Sequence, residues 1–232
     1  NSEVKNYEEV KSKARHTRAT FEETKNAQNA STGLSRVLDS IMKQSKAGNI
    51  KGIIGRLGDL GTIDKKYDIA ISTLASNSLD TILVDTVHTA QSCITFLKNK
   101  DIGRANFLAL EKMDKYKHRV SSQWSAPETV PRLIDLINVQ DERNKLAFYH
   151  YLKDTLVADD LDQANRITSG NIAYRIVTLN GEVIEKSGAM TGGGKRVIHG
   201  KMAFEFQTAD YSPFLRYDEK YLKSLEKQIQ KE

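Results

Sequence analysis

The stretch from Gly181 to Gly194, reading GEVIEKSGAMTGGG, constrains the fold more than any other part of this chain. Glycines stand at Gly181, Gly188, Gly192, Gly193 and Gly194, after an extended apolar run from Ile172 to Leu179. Asn180-Gly181 is a hairpin signal, because a type I′ turn needs positive φ at both central positions. The pattern predicts a strand over 172–179, a two-residue turn and a returning strand over 182–185. Beyond that strand the side chains thin out, so another backbone or a phosphate can come close. Gly194-Lys195 ends like a phosphate loop, but that pattern requires Gly at 189 and Ser or Thr at 196, where Ala189 and Arg196 stand. The hydroxyl that would hold magnesium is missing. The stretch therefore reads as an edge for a second strand, with a plain structural turn as the alternative.

The flanks have a different periodicity. Tyr7, Val10, Ala14, Thr17, Phe21 and Thr24 alternate spacings of three and four, and Leu34, Val37, Leu38 and Ile41 continue an apolar stripe. Leu215, Asp218, Leu222, Leu225 and Ile229 repeat the pattern with one polar break. A helix with such a seam needs a partner helix. The termini are expected to pair as one antiparallel arm, or to pack as two separate amphipathic helices.

Between the flanks, helix and strand signals are mixed. Ala47-Gly48-Asn49 breaks the first helix, and 51–61 suits a strand and a tight turn. Asp64 is a plausible N-cap for a helix through Leu74. A buried strand over 81–87, a helix over 89–98 and a strand over 104–110 follow. Residues 111–131 are irregular, with Lys112, Lys115, Lys117, His118 and Arg119 clustered near the single tryptophan, Trp124. Short helices over 132–139 and 145–153, a strand over 155–158 and a helix over 161–168 lead into the hairpin. Residues 202–213 fit neither period. The fold class is α+β.

No catalytic set holds together. Cys93 is the only cysteine and lies on an apolar helical face, so it reads as a core thiol. The histidines lack ligand spacing, and Asp159, Asp160 and Asp162 suit the N-terminus of the helix near Leu161 better than a metal. No run is long enough to span a membrane. The net charge of +5 permits an anionic polymer as partner. Mean hydropathy of −0.52 is low for a single core and fits solvated helices at the ends. The chain starts at Asn1 and reads as a piece of a longer protein.

The segments GRLGDLG (55–61), YDIAIST (67–73), Phe148 with DTLVA (154–158), and SGAMTGG (187–193) carry a resemblance. Over about 50–201 the chain resembles the hinge domain of SMC ATPases, most closely the type-four subunits of eukaryotic condensin. GRLGDLGTID and AFYHYLKDTLVADDLDQA favour that group over cohesin-like or homodimeric hinges.

The resemblance implies a two-subdomain hinge with a coiled-coil arm. The expected parts are an arm helix over 1–48, subdomains over 49–140 and 141–201, and a connector and second helix over 202–232. It implies pairing with the type-two SMC subunit through Gly181, Gly188, Met190, Gly192, Gly193 and Gly194. It further implies DNA contact, non-sequence-specific and often single-stranded, for which Lys46, Lys51, Arg56, Lys195, Arg196 and Lys201 are the candidates. ATP and magnesium would belong to head domains outside this chain, leaving no cofactor and no catalysis in it. The expected location is the nucleus and chromosomes, with a cytoplasmic pool. A phosphate- or nucleotide-binding enzyme is the reading from a different class.

Overall fold

The structure, a computed structural model, describes residues 35–170, 174–193 and 198–204. The seam over 7–24, the stripe over 215–229, and Gly194, Lys195 and Arg196 lie outside the described residues. The chain divides into two units, Asn1–Asp39 with Ser212–Glu232, and Ser40–Tyr211. Of the first, residues 35–39 are described, and they are helical. The second opens on a helix over 40–46 (α1), which ends where Gly48 takes φ +73°.

β1 (Ile53–Arg56), β2 (Gly61–Thr62), α2 (Asp68–Ala75), β3 (Ile82–Val84), α3 (Val87–Lys100) and β4 (Phe107–Ala109) follow. β3 is central, antiparallel to β1 and parallel to β4. A parallel pair needs a crossover, and α3 supplies it. Its cap is Thr86, which accepts the Thr89 N–H, and it buries Thr89, Cys93 and Leu97 at helical spacing. All of β3 is buried, which explains its unbroken apolar run. The strand stops earlier than its sequence suggests. The Asp85 carboxylate accepts from the Thr86 N–H and the Thr89 hydroxyl, and this turns Val87 into the start of a helix. Asp64 does act as a cap, accepting from Lys66 N, but of a short 3-10 turn that leads into α2.

α4 (Lys117–Ser121), β5 (Asn138–Val139), α5 (Glu142–Leu152), β6 (Leu156–Ala158), α6 (Leu161–Thr168), β7 (Ile176–Thr178), β8 (Val183–Ile184) and β9 (Met190–Thr191) come next among the described residues of the second unit. The order of the last sheet is β6-β7-β8-β9, parallel across α6 and antiparallel thereafter. Asp160 caps α6 by accepting from Gln163 N at 2.8 Å, the role expected for that acidic run. The helix expected over 132–139 is only a 3-10 turn, Leu133–Leu136. Leu133 N–H donates to Thr155 O, and the chain then becomes β5, paired with β2.

The main core runs across the boundary expected at 140/141. Leu57, Ile71 and Leu83 pack in one cluster with Leu146, Phe148 and Leu152 of α5, and with Val157 and Val177 of the last sheet. Met202, expected in a connector, lies in the same core, and Ala203 bridges to Thr62. A smaller cluster, including Leu156, Ala164, Ile167 and Ile184, fills the space under α6. Burying each large apolar side chain contributes about 1.5–3 kcal/mol, so the two sheets are joined by shared packing.

Candidate interaction surface

The β7–β8 hairpin is not the expected two-residue turn. Thr178 N–H donates to Glu182 O, which leaves a three-residue loop over 179–181. Gly181 has φ +90°, whereas Asn180 is not among the positive-φ residues. This is the longer hairpin class, with glycine in the left-handed position. A Cβ on Gly181 would stand 2.9 Å from Thr73 Oγ1 and 3.1 Å from Ile69 Cγ2. The bare position lets the hairpin tip rest on α2. Gly181, expected at the pairing surface, is instead an internal joint.

Gly188 closes the next turn, donating its N–H to Glu185 O at 2.9 Å with φ +84°. β9 then pairs with β8 in the register Val183↔Thr191 and Ile184↔Met190. Glu185 N–H donates to Ala189 O at 2.8 Å. Bonded and non-bonded pairs alternate along an antiparallel ladder, so Ala189 and Thr191 bond inward. Met190 N–H and C=O therefore point away from β8. Among the described residues no strand covers that edge, and Met190 is 58% exposed. A Cβ on Gly188 or Gly193 would meet nothing within 4 Å among the described residues. Gly192 differs, since its Cβ would stand 2.9 Å from Glu182 Cγ, so its bareness is used within the sheet. The structure thus brings Gly188, Met190 and Gly193 onto one open edge.

The candidate cations separate into two kinds. Lys46 and Lys51 are exposed. Arg56 is only 5% exposed, with Nη1 on Asp59 at 2.9 Å and Nη2 on Asp80 at 2.7 Å and on Lys201 O at 3.0 Å. Lys201 Nζ also reaches Asp80, at 3.0 Å. Burial pushes the Asp59 carboxyl above its usual range, against the pull of Arg56. Gly58 makes the arrangement possible, because its Cβ would stand 2.7 Å from Lys201 O. Next along the chain, Gly200 N–H donates to the Asp68 carboxylate at 2.8 and 3.0 Å, and Lys201 N–H to Ser72 Oγ at 3.1 Å. Residues 200–203 form a strap across the first half of the unit. Arg56 and Lys201, expected to face DNA, spend their charge inside it.

Sequence reasoning missed a second buried arginine. Arg132 is 2% exposed, binds Asp135 and Asp154, and lies 5.0 Å over the Trp124 ring. No periodic signal marks it, since its partners are distant in sequence or lie in an irregular turn.

Among the described residues, the last sheet thus presents an open edge strand on a packed mixed body. The profile described as SMC proteins Flexible Hinge Domain matches residues 50–168, and the chain belongs to that family. Structural maintenance of chromosomes protein 4 of Homo sapiens is 48% identical over 182 residues, which is 78% of this chain and 14% of the relative. The protein of that name in Schizosaccharomyces pombe is 45% identical over 197 residues, 84% of this chain and 14% of the relative. The chain thus spans a small part of the curated relatives, the hinge and not the ATPase head. The Pyrococcus furiosus SMC protein hinge domain superposes with TM-score 0.52 at 26% identity, covering 79% of this chain and 97% of that one.

Proposed function

We propose that this segment is the hinge of a condensin SMC subunit and pairs with the hinge of the type-two subunit by strand addition. On this reading the pair contacts DNA during mitotic chromosome condensation, in the nucleus and on chromosomes, with a cytoplasmic pool. The outward N–H and C=O of Met190 on β9 carry the pairing reading, because an added strand satisfies both. The name shared by the similar proteins supports a condensin subunit over a cohesin-like or homodimeric hinge.

The test is Met190→Pro, which removes an outward donor that β8 does not use. Sedimentation velocity with a candidate type-two hinge should show pairing weakened about tenfold or more, equivalent to ~1.4 kcal/mol. Thermal melting of the chain alone should be nearly unchanged. Wild-type pairing by the proline variant would overturn strand addition at β9. Strong self-association of the chain alone would favour the homodimeric reading instead.

DNA contact is supported by exposed Lys46 and Lys51, with Lys195 and Arg196 as candidates from the sequence. Such binding is phosphate-driven and should weaken steeply between low and moderate salt. Lys46→Gln/Lys51→Gln should weaken it further, as measured by fluorescence anisotropy. Affinity insensitive to salt would refute this. ATP binding by calorimetry would favour the enzyme reading, and none is expected.

A further inference from the structure

The lysine-rich segment over 111–131 lies outside β9 and its turns, and the fold builds part of it into a defined cluster. Tyr116 lies at its centre, with Tyr149 at 5.3 Å and His150 at 5.9 Å between ring centroids. Two ammonium groups converge on it. Lys153 Nζ donates to the Tyr116 hydroxyl at 2.8 Å and lies 4.1 Å from the ring centroid, and Lys115 Nζ lies 5.1 Å from it. His150 Nδ1 is 3.3 Å from the same hydroxyl. Among the described residues no carboxylate lies within ion-pair distance of Lys115 or Lys153. Asp114 is taken by Lys117, Glu111 by Lys112, and Asp154 by Arg132 and Tyr149. Neighbouring cations without an anion repel one another, and nearby groups register the excess. Burial first, then Lys153 and Lys115, hold His150 below its usual range, and the Lys153 hydrogen bond lowers the Tyr116 phenol.

The backbone is an independent observation. Lys153 has φ 51° and ψ −141°, a conformation that suits glycine and costs other residues about 1–3 kcal/mol. A glycine would sit there more comfortably but would supply no ammonium group. Lys153 also lines a cleft of about 390 Å³ with Thr155, Arg175, Lys186 and Ser187. The two acids of the cleft, Asp154 and Glu185, are already paired with Arg132 and Arg175.

We propose that Lys115, Tyr116 and Lys153 form a phosphate-holding site for a single nucleic-acid strand, whose path continues through the cleft toward Lys186 and Ser187. A basic groove beside an aromatic ring is the kind of surface that tracks a single-strand backbone. The Tyr116 ring already carries ammonium groups, so recognition is of phosphate rather than of base identity. The inference rests on the DNA-contact reading and assigns it a second site, away from Lys46 and Lys51.

The test is anisotropy of labelled oligothymidylate with the 232-residue chain, as wild type and as Lys115→Gln/Lys153→Gln. Each lost single-strand phosphate contact removes about 0.7 from the slope of log affinity against log salt. The double variant should lose about 1.4, so the affinity drop between ~50 and ~200 mM salt shrinks about sevenfold. Lys153→Gly separates binding from folding, because it should raise the melting temperature while weakening the oligonucleotide. Raised stability with unchanged binding in Lys153→Gly would remove Lys153 from the site. Wild-type slopes in both variants would overturn the site, and if Lys46→Gln/Lys51→Gln still weakened binding, the DNA reading would survive. Absence of binding by the wild-type chain would sink both. Duplex binding that weakened equally in the variants would overturn the single-strand assignment.

Discussion

Gly181, Gly188 and Gly193 form a built-in comparison. Their φ values are +90°, +84° and +86°, so alanine meets nearly the same backbone strain at each. That strain is about 1–2 kcal/mol, partly offset by about 0.4–1 kcal/mol from the lower entropy of the unfolded chain. The surroundings differ. At Gly188 and Gly193 the new methyl enters open space, whereas at Gly181 it lands 2.9 Å from Thr73 Oγ1 and 3.1 Å from Ile69 Cγ2. Thr73 can rotate away, but the branched Ile69 side chain on α2 yields less easily, and overpacking of this kind costs about 1–3 kcal/mol. Gly188→Ala and Gly193→Ala should therefore each cost ~1 kcal/mol or less, and Gly181→Ala about 2–4 kcal/mol. Urea unfolding of the chain alone measures this. With a slope near 2 kcal/mol/M, an excess of ~2 kcal/mol moves the midpoint by about 1 M. Equal midpoints for the three variants would refute the hairpin–α2 joint and return Gly181 to the candidate pairing surface.

Arg56→Met should destabilise by roughly 3–5 kcal/mol, since it strips a buried partner from Asp59 and Asp80. Limited proteolysis should then cut near 200–203, and an unaltered melt and digest would contradict the strap. Tyr149 has its phenol pushed up to about 12, first by burial and then by its bonds to Asp154. A phenol with a raised pKa keeps its proton longer when folded. Its contribution is complete below the unfolded value near 10 and is lost as pH rises toward 12. Tyr149→Phe should flatten that alkaline loss, and an absorbance titration of the nine tyrosines should show a late-ionising one. A titration finished near 10 would contradict this.

Much of the fold was legible because it rests on local rules. Asp160 and α6 follow the capping pattern, and the apolar run of β3 and the burial of Cys93 follow from unbroken or helical spacing. The failures share a cause. Whether Gly181 faces a partner or α2, and whether Arg56 faces solvent or Asp80, depends on residues more than twenty positions away. Lysine clusters looked alike in sequence, yet Lys117 and Lys112 have carboxylates beside them and Lys115 has none among the described residues. The core that crosses the expected 140/141 boundary has the same origin, because α5 packs into a cluster built mostly from earlier strands and helices. Local periodicity says which face is apolar but not what covers it.

The size of the open edge sets a requirement on pairing. β9 is two residues long and turns one N–H and one C=O outward, at Met190. Two backbone hydrogen bonds contribute about 1 kcal/mol each, and burying the Met190 side chain adds roughly 1.5–3 kcal/mol. The sum, about 3.5–5 kcal/mol, reaches only the low end of the ~4–15 kcal/mol that association costs in lost translation and rotation. One β9 contact would not hold two hinges together. A second contact made by the same pair avoids most of that loss, because the partner is already tethered. A joint made of two such contacts needs another free edge held at a fixed angle to β9. The sheet β1-β3-β4 ends in β1 and β4, and the core it shares with the last sheet supplies the rigidity. Shared packing across the expected boundary is therefore what would let a two-residue strand act as half of a lasting joint.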